Sequence, residues 1–238
     1  MKHLSKLPVL TGLCAGLGLV NLCVRQWLLS SGTDEKGLLV ASHPGTVLSL
    51  LLLAACVCVL CLALRQKQVY RFRNSPLSIV SMVMFAIGYG FTAWKLLSNP
   101  RQTLSIIAAA LGILSAMCAL FIAFALFRKL RLHPLVYCPF VLFFMFFLVC
   151  RYQQWSGEPE LQRYLFQMLS VVSLMISAYH RAALEADKKG VRIYLLVSRA
   201  AVFFCIAAIP GSVYGVLYGC AAVAIILDGF TVSKKQGA

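Results

Sequence analysis

Apolar residues recur in eight long runs along the chain: Leu7 to Val24, Gly45 to Leu64, Leu77 to Leu97, Thr103 to Phe127, Pro134 to Cys150, Leu161 to Ala183, Val191 to Ile209 and Ser212 to Thr231. Each is close to the roughly 20 residues that a helix needs to cross about 30 Å of hydrocarbon. Between them stand residues that start or break helices, in His43-Pro44-Gly45, Ser75-Pro76, Asn99-Pro100, His133-Pro134 and Pro210-Gly211. The pattern predicts an all-α fold, a polytopic transmembrane bundle of eight spans forming one integral membrane domain over residues 1–238.

Composition supports that reading. Hydrophobic residues make up 61% of the chain and charged residues 12%, and the mean hydropathy of +0.86 is far too apolar for a soluble domain of this length. The partner it implies is a lipid bilayer. The net charge of +15 does not point to nucleic acid, because the basic residues lie in short clusters between apolar runs instead of on one domain. The amino-terminal run resembles a signal peptide but is followed by no A-x-A-like cleavage site, so it is read as a retained first span.

The basic clusters also orient the spans, since short cytoplasmic loops keep positive charge during insertion. With the amino terminus inside, fifteen Lys and Arg fall on the inner side, Arg181 counted among them, and six on the outer side: Arg25, Lys36, Lys95, Arg101, Arg151 and Arg163. Arg199 remains inside a span. Trp27, Trp94 and Trp155 fall at the outer ends, where amphipathic indoles favour the interface, and Asp34, Glu35, Glu158 and Glu160 lie outside too. Both termini are therefore expected in the cytoplasm and the protein in the plasma membrane. Cys23-Val24-Arg25-Gln26-Trp27 rhymes with Cys150-Arg151-Tyr152-Gln153-Gln154-Trp155, a weak sign of a four-plus-four repeat.

Candidate chemistry is sparse. Arg163, Gln167, Ser170, Ser173, Ser177 and His180 recur at steps of three and four, which places them on one stripe of the sixth helix. Bare amides and hydroxyls are costly in lipid, so the stripe should face a helix seam or a cavity. A bland alternative is that the serines bond to their own backbone and only pack. Ser78, Ser81, Phe85, Gly88, Thr92 and Lys95 repeat the geometry on the third helix. Arg199, about 10 Å deeper than Arg192 at 1.5 Å per residue, needs a partner, and Asp228 on the returning eighth helix matches its depth.

Small residues every four positions, at Gly12 and Gly16, Ala108, Gly112 and Ala116, and Gly211, Gly215 and Gly219, predict close helix contacts within the monomer or in an oligomer. The ten cysteines all lie in or beside apolar runs and are read as small buried side chains. Cys56 and Cys58 would point nearly opposite ways on a helix, which leaves too few ligands for a metal. No catalytic or nucleotide signature is present, so neither an enzyme nor a cofactor is expected. Two readings follow: a small-solute or ion carrier whose path uses Gln167, Ser170, Ser173, Ser177, His180, Thr92, Arg199 and Asp228, or a non-transporting scaffold, sensor or partner subunit of a membrane complex.

Overall fold

The computed structural model describes residues 6–32, 43–64, 70–72, 75–98, 103–130, 132–155, 161–187 and 190–234. Outside these fall Asp34, Glu35, Glu158, Glu160, Lys36, Arg101, the Asn99-Pro100 break and most of the 65–73 connection, together with the side chains of Trp155 and Arg163. Eight α-helices follow one another: α1 Lys6–Ser31, α2 Pro44–Leu64, α3 Pro76–Ser98, α4 Thr103–Phe127, α5 Cys138–Trp155, α6 Leu161–Asp187, α7 Val191–Ala208 and α8 Gly215–Phe230. A single 3₁₀ turn, Pro134–Tyr137, leads into α5. Among the described residues the expected eight helices are present, and six, α1 to α5 and α7, are long and apolar enough to cross a membrane. α6 is longer but more polar, and α8 is apolar but short.

The helix starts follow local chemistry. His43 Nδ1 accepts from the Gly45 amide at 3.1 Å, Ser75 Oγ from Leu77 at 3.1 Å and His133 Nδ1 from Leu135 at 3.4 Å. In each case a polar side chain satisfies an amide that the helix leaves free, and the next residue is a proline whose own lack of N–H is harmless there. Two of the four histidines therefore act as helix caps. At the other end of α4, Lys129 takes φ 55° while Leu130 N donates to Ala125 O at 2.9 Å and Lys129 N to Leu126 O at 3.2 Å, a left-handed C-terminal cap.

Several boundaries move. α1 continues past Val24 because Arg25, expected in an outer loop, is buried in the helix with its guanidinium 4.6 Å from the Phe166 ring. α8 starts at Gly215, after a turn in which Gly211 takes φ +70° and Ser212 Oγ accepts from Tyr214 N. A two-stranded antiparallel ribbon, Tyr70–Phe72 with Val232–Lys234, was not legible in the sequence and ties the α2–α3 connection to the tail after α8.

Helices α3 to α8 close a ring in which each packs on the next and α8 returns to α3. α1 packs outside this ring against α7, and α2 against α1 and α7. The neighbours do not repeat by fours: α3 packs on α8, while α7 is not a neighbour of α4 among the described residues. Inside the ring an aromatic cluster fills the core, with Tyr89 stacked on Phe140 at 5.3 Å, Phe143 at 5.1 Å edge-on to Tyr89, and Phe147 edge-on to Tyr214 at 5.1 Å. The outer faces expose Leu51, Phe121 and Trp94, as a bilayer-embedded bundle would. Between α1 and α2, Ser49 Oγ donates to Asn21 Oδ1 at 2.8 Å, an interhelical bond that shields two polar groups from lipid.

Of the small-residue ridges expected to make close contacts, that of Gly112 does, while that of Gly12 and Gly16 does not, and Gly88 and Gly18 add further approaches. A Cβ on Gly112 would sit 3.1 Å from both Ala93 and Phe143, one on Gly88 3.3 Å from Cys220, and one on Gly18 3.1 Å from Ile206. At Gly12 and Gly16 nothing lies within 4 Å. Gly112→Val is therefore expected to cost about 1–3 kcal/mol through overpacking, whereas Gly12→Val leaves the thermal unfolding midpoint in detergent nearly unchanged; equal effects of the two would contradict this packing.

Candidate functional site

The polar stripe on α6 is turned away from the outer surface, as a helix seam or cavity requires: Gln167, Ser170, Ser173 and Ser177 are all buried. Ser170 Oγ donates to Gln167 O at 2.7 Å, Ser173 Oγ to Ser170 O at 2.9 Å, and on α3 Thr92 Oγ1 to Gly88 O at 2.8 Å. These three hydroxyls are satisfied by their own helices, which leaves them a packing role. Ser177 has no such bond and lines a cavity. His180 is half-buried beside the Tyr179 ring and does not line it.

The stripe runs instead to Arg181, four residues beyond Ser177 and on the same face, where a step of three leads to His180. Arg181 is only 7% exposed. The sequence reading included Arg181 in the run Leu161 to Ala183 but counted it only among the inner-side topology charges; in the structure its side chain is buried and lines the cavity. Its Nη1 lies 3.4 Å from Asp228 Oδ2 and its Nη2 3.8 Å from Glu185 Oε1. Tyr194 of α7 donates its hydroxyl to the same Asp228 Oδ2 at 2.7 Å. The buried Tyr137 hydroxyl stands beside Arg181.

Asp228 therefore meets Arg181 and Tyr194 in place of Arg199. The reason is rotational. Tyr194 and Arg199 are five residues apart, or about 140° around α7 at 3.6 residues per turn, so with Tyr194 turned into the ring Arg199 is turned towards α1. Arg199 is buried there, within charge-interaction distance of Cys14. Matching depth was the right criterion and the wrong azimuth.

The cavity measures about 40 Å³, room for a few waters or one compact group at about 10–15 Å³ per water. Its floor is Arg181, Asp228, Tyr194, Tyr137 and Ser177, and its walls are Met82, Phe85 and Tyr89 of α3, Phe140 and Phe144 of α5, Leu174 and Ala178 of α6, and Ile225 of α8. Five helices of the ring and the turn before α5 thus supply one concave, mostly apolar site with convergent polar groups, the usual form of a small-molecule site.

A second polar group sits further along the ring interior, towards the α5–α6 connection. Arg151 lies 5.0 Å over the Tyr214 ring, and the Tyr218 hydroxyl is near Ser170 and Arg151. Gln167 Oε1 is buried there without a hydrogen bond. Arg25 and Arg151, the matching arginines of the two rhyming segments, both rest on aromatic rings. Lys95 is exposed beside Phe91 at 5.7 Å, as a snorkelling side chain would be.

No family model, curated protein sequence or solved structure matches the chain.

Proposed function

We propose that the chain is a small-solute carrier of the plasma membrane in which all eight helices cross the bilayer, with both termini in the cytoplasm. The excess of Lys and Arg in alternate connections supports that orientation. At 27 residues, α6 has about 40 Å of length at 1.5 Å per residue, and its polar face is turned inward, so its lower hydropathy does not prevent it from spanning. α8 crosses together with the turn before it.

The observation that carries the reading is the buried Arg181–Asp228 pair at the floor of a cavity inside a closed six-helix ring. Ionisable groups inside membrane bundles are costly, and where they line a cavity they mark substrate or ion pathways. Gln167 and Tyr218 continue a polar line along the same interior, interrupted by Leu174. A non-transporting scaffold, sensor or partner subunit, alone or as a homo-oligomer, is the second reading. It is favoured by the back-bonded hydroxyls of Ser170, Ser173 and Thr92, which act as helix seams.

Purified protein in liposomes, assayed for counterflow of amino acids, amines, nucleosides, sugars and ions, separates the two. Uptake of one solute class is expected for wild type and is lost in a folded Ser177→Leu variant, whose added side chain occupies the cavity. Absence of counterflow for every class, with an intact fold, overturns the carrier reading in favour of the second.

A further inference from the structure

We infer that the cavity binds a compact alkylammonium ion, held by the free oxygen of Asp228 within a box of aromatic rings. The inference rests on the carrier reading for the role of the site in transport, and on the geometry alone for binding.

The carboxylate of Asp228 is 3% exposed and its two oxygens differ. Oδ2 is occupied by the Tyr194 hydroxyl and the Arg181 guanidinium. Oδ1 is buried with no hydrogen bond. A buried carboxylate oxygen left bare is costly, and a donor that enters the cavity removes that cost. The two contacts on Oδ2 also hold the side chain, and Asp228 lines the cavity, so a donor that reaches the carboxylate there costs no further rotamer freedom.

Charge selects the donor. Arg181, Asp228 and Glu185 lie together, one cation and two anions, and a monovalent cation brings the group to neutrality. An incoming anion would have to compete with both carboxylates for the one guanidinium. The walls agree, because Phe85, Tyr89, Tyr137, Phe140, Phe144 and Tyr194 all line the space. Aromatic faces attract ammonium groups, most strongly where water is excluded. The uncharged polar groups of the lining, Ser177 and the tyrosine hydroxyls, are too few to replace a polyol's hydration. The small volume restricts the guest to an ammonium head with a short alkyl body.

The test uses full-length protein in detergent and three probes of nearly one shape: tert-butylammonium, tert-butanol and pivalate, titrated by calorimetry. The ammonium is expected to bind at least about tenfold more tightly than the alcohol, with pivalate weakest, the scale of a desolvated charge recognised by rings and carboxylate. Equal affinity of ammonium and alcohol, or tighter binding of pivalate, overturns the proposal.

Asp228→Asn is expected to abolish the preference for the cation. Because that change also removes the carboxylate that Arg181 faces, Phe140→Leu provides a milder variant, expected to weaken tert-butylammonium about threefold, the scale of one cation–π contact, and to leave tert-butanol unchanged. Equal weakening of both probes by Phe140→Leu means that the ring supplies only space, and the proposal falls. Binding of tert-butylammonium without counterflow of any amine refutes the carrier reading and leaves the site standing; counterflow of another solute class with no ammonium binding does the reverse.

Discussion

Arg181→Met lowers the stability of the folded protein by about 3–5 kcal/mol, because it leaves Asp228 buried as a charge without its guanidinium. The Tyr194 hydroxyl remains on Oδ2 but carries no charge to offset that of the carboxylate. Arg181→Met combined with Asp228→Leu recovers most of the loss, since an apolar pair in place of a buried ion pair is near neutral once both charges are gone. Charge exchange separates partners more sharply: Asp228→Arg is rescued by Arg181→Asp and not by Arg199→Asp. Thermal unfolding in detergent and the yield of monodisperse protein measure both. Rescue through position 199 would overturn the pairing.

Phe143→Ala is the second large effect, a loss of about 3 kcal/mol, the low end for a buried phenylalanine. Phe143 is fully buried and touches Tyr89, Phe144, Phe147 and the face of Gly112, so it joins α3, α4 and α5. The low end applies because in lipid the transfer contribution is small and the loss is mainly of packing. The same substitution at Phe121, exposed on the outer face of α4, is expected to shift the unfolding midpoint by less than a quarter as much. Equal shifts would contradict the ring architecture.

The two substitutions probe different levels of what could be read in advance. The importance of Phe143 is not legible from α5, where Phe140, Phe143, Phe144, Phe146 and Phe147 all read as one apolar run. In a helix that meets lipid on one side and protein on the other, both faces are apolar, and hydrophobic periodicity loses its power to distinguish them. The α6 stripe was legible for the opposite reason, since polar residues at steps of three and four can face only the interior. Its last member was misplaced by one residue: His180 looked functional by its chemistry, while Arg181 was set aside as a topology charge. Continuing the stripe by four from Ser177 would have found it.

Asp228 was singled out because its depth matched that of Arg199, which needed a partner, and Asp228 does pair with a buried arginine. Which partner it has depended on helix azimuth. The same holds for the glycines: Gly12 and Gly16 have the spacing of a contact ridge and nothing within 4 Å, Gly112 has the spacing and the contact, and Gly18 makes a close approach that no ridge spacing marked.

The sequence by itself determined the helices and most of their limits, through apolar length and through the caps at His43, Ser75 and His133, because these depend on contacts within a few residues. It also determined which face of α6 is turned inward. Only the tertiary structure decided that α3 to α8 close a ring with α1 and α2 outside, that Asp228 meets Arg181 and Tyr194, and that these groups share a cavity with the α3 and α5 aromatics. Those relations join positions as far apart as Phe85 and Asp228, and they depend on how each helix is rotated about its axis, which a uniformly apolar surface leaves undetermined until the helices pack.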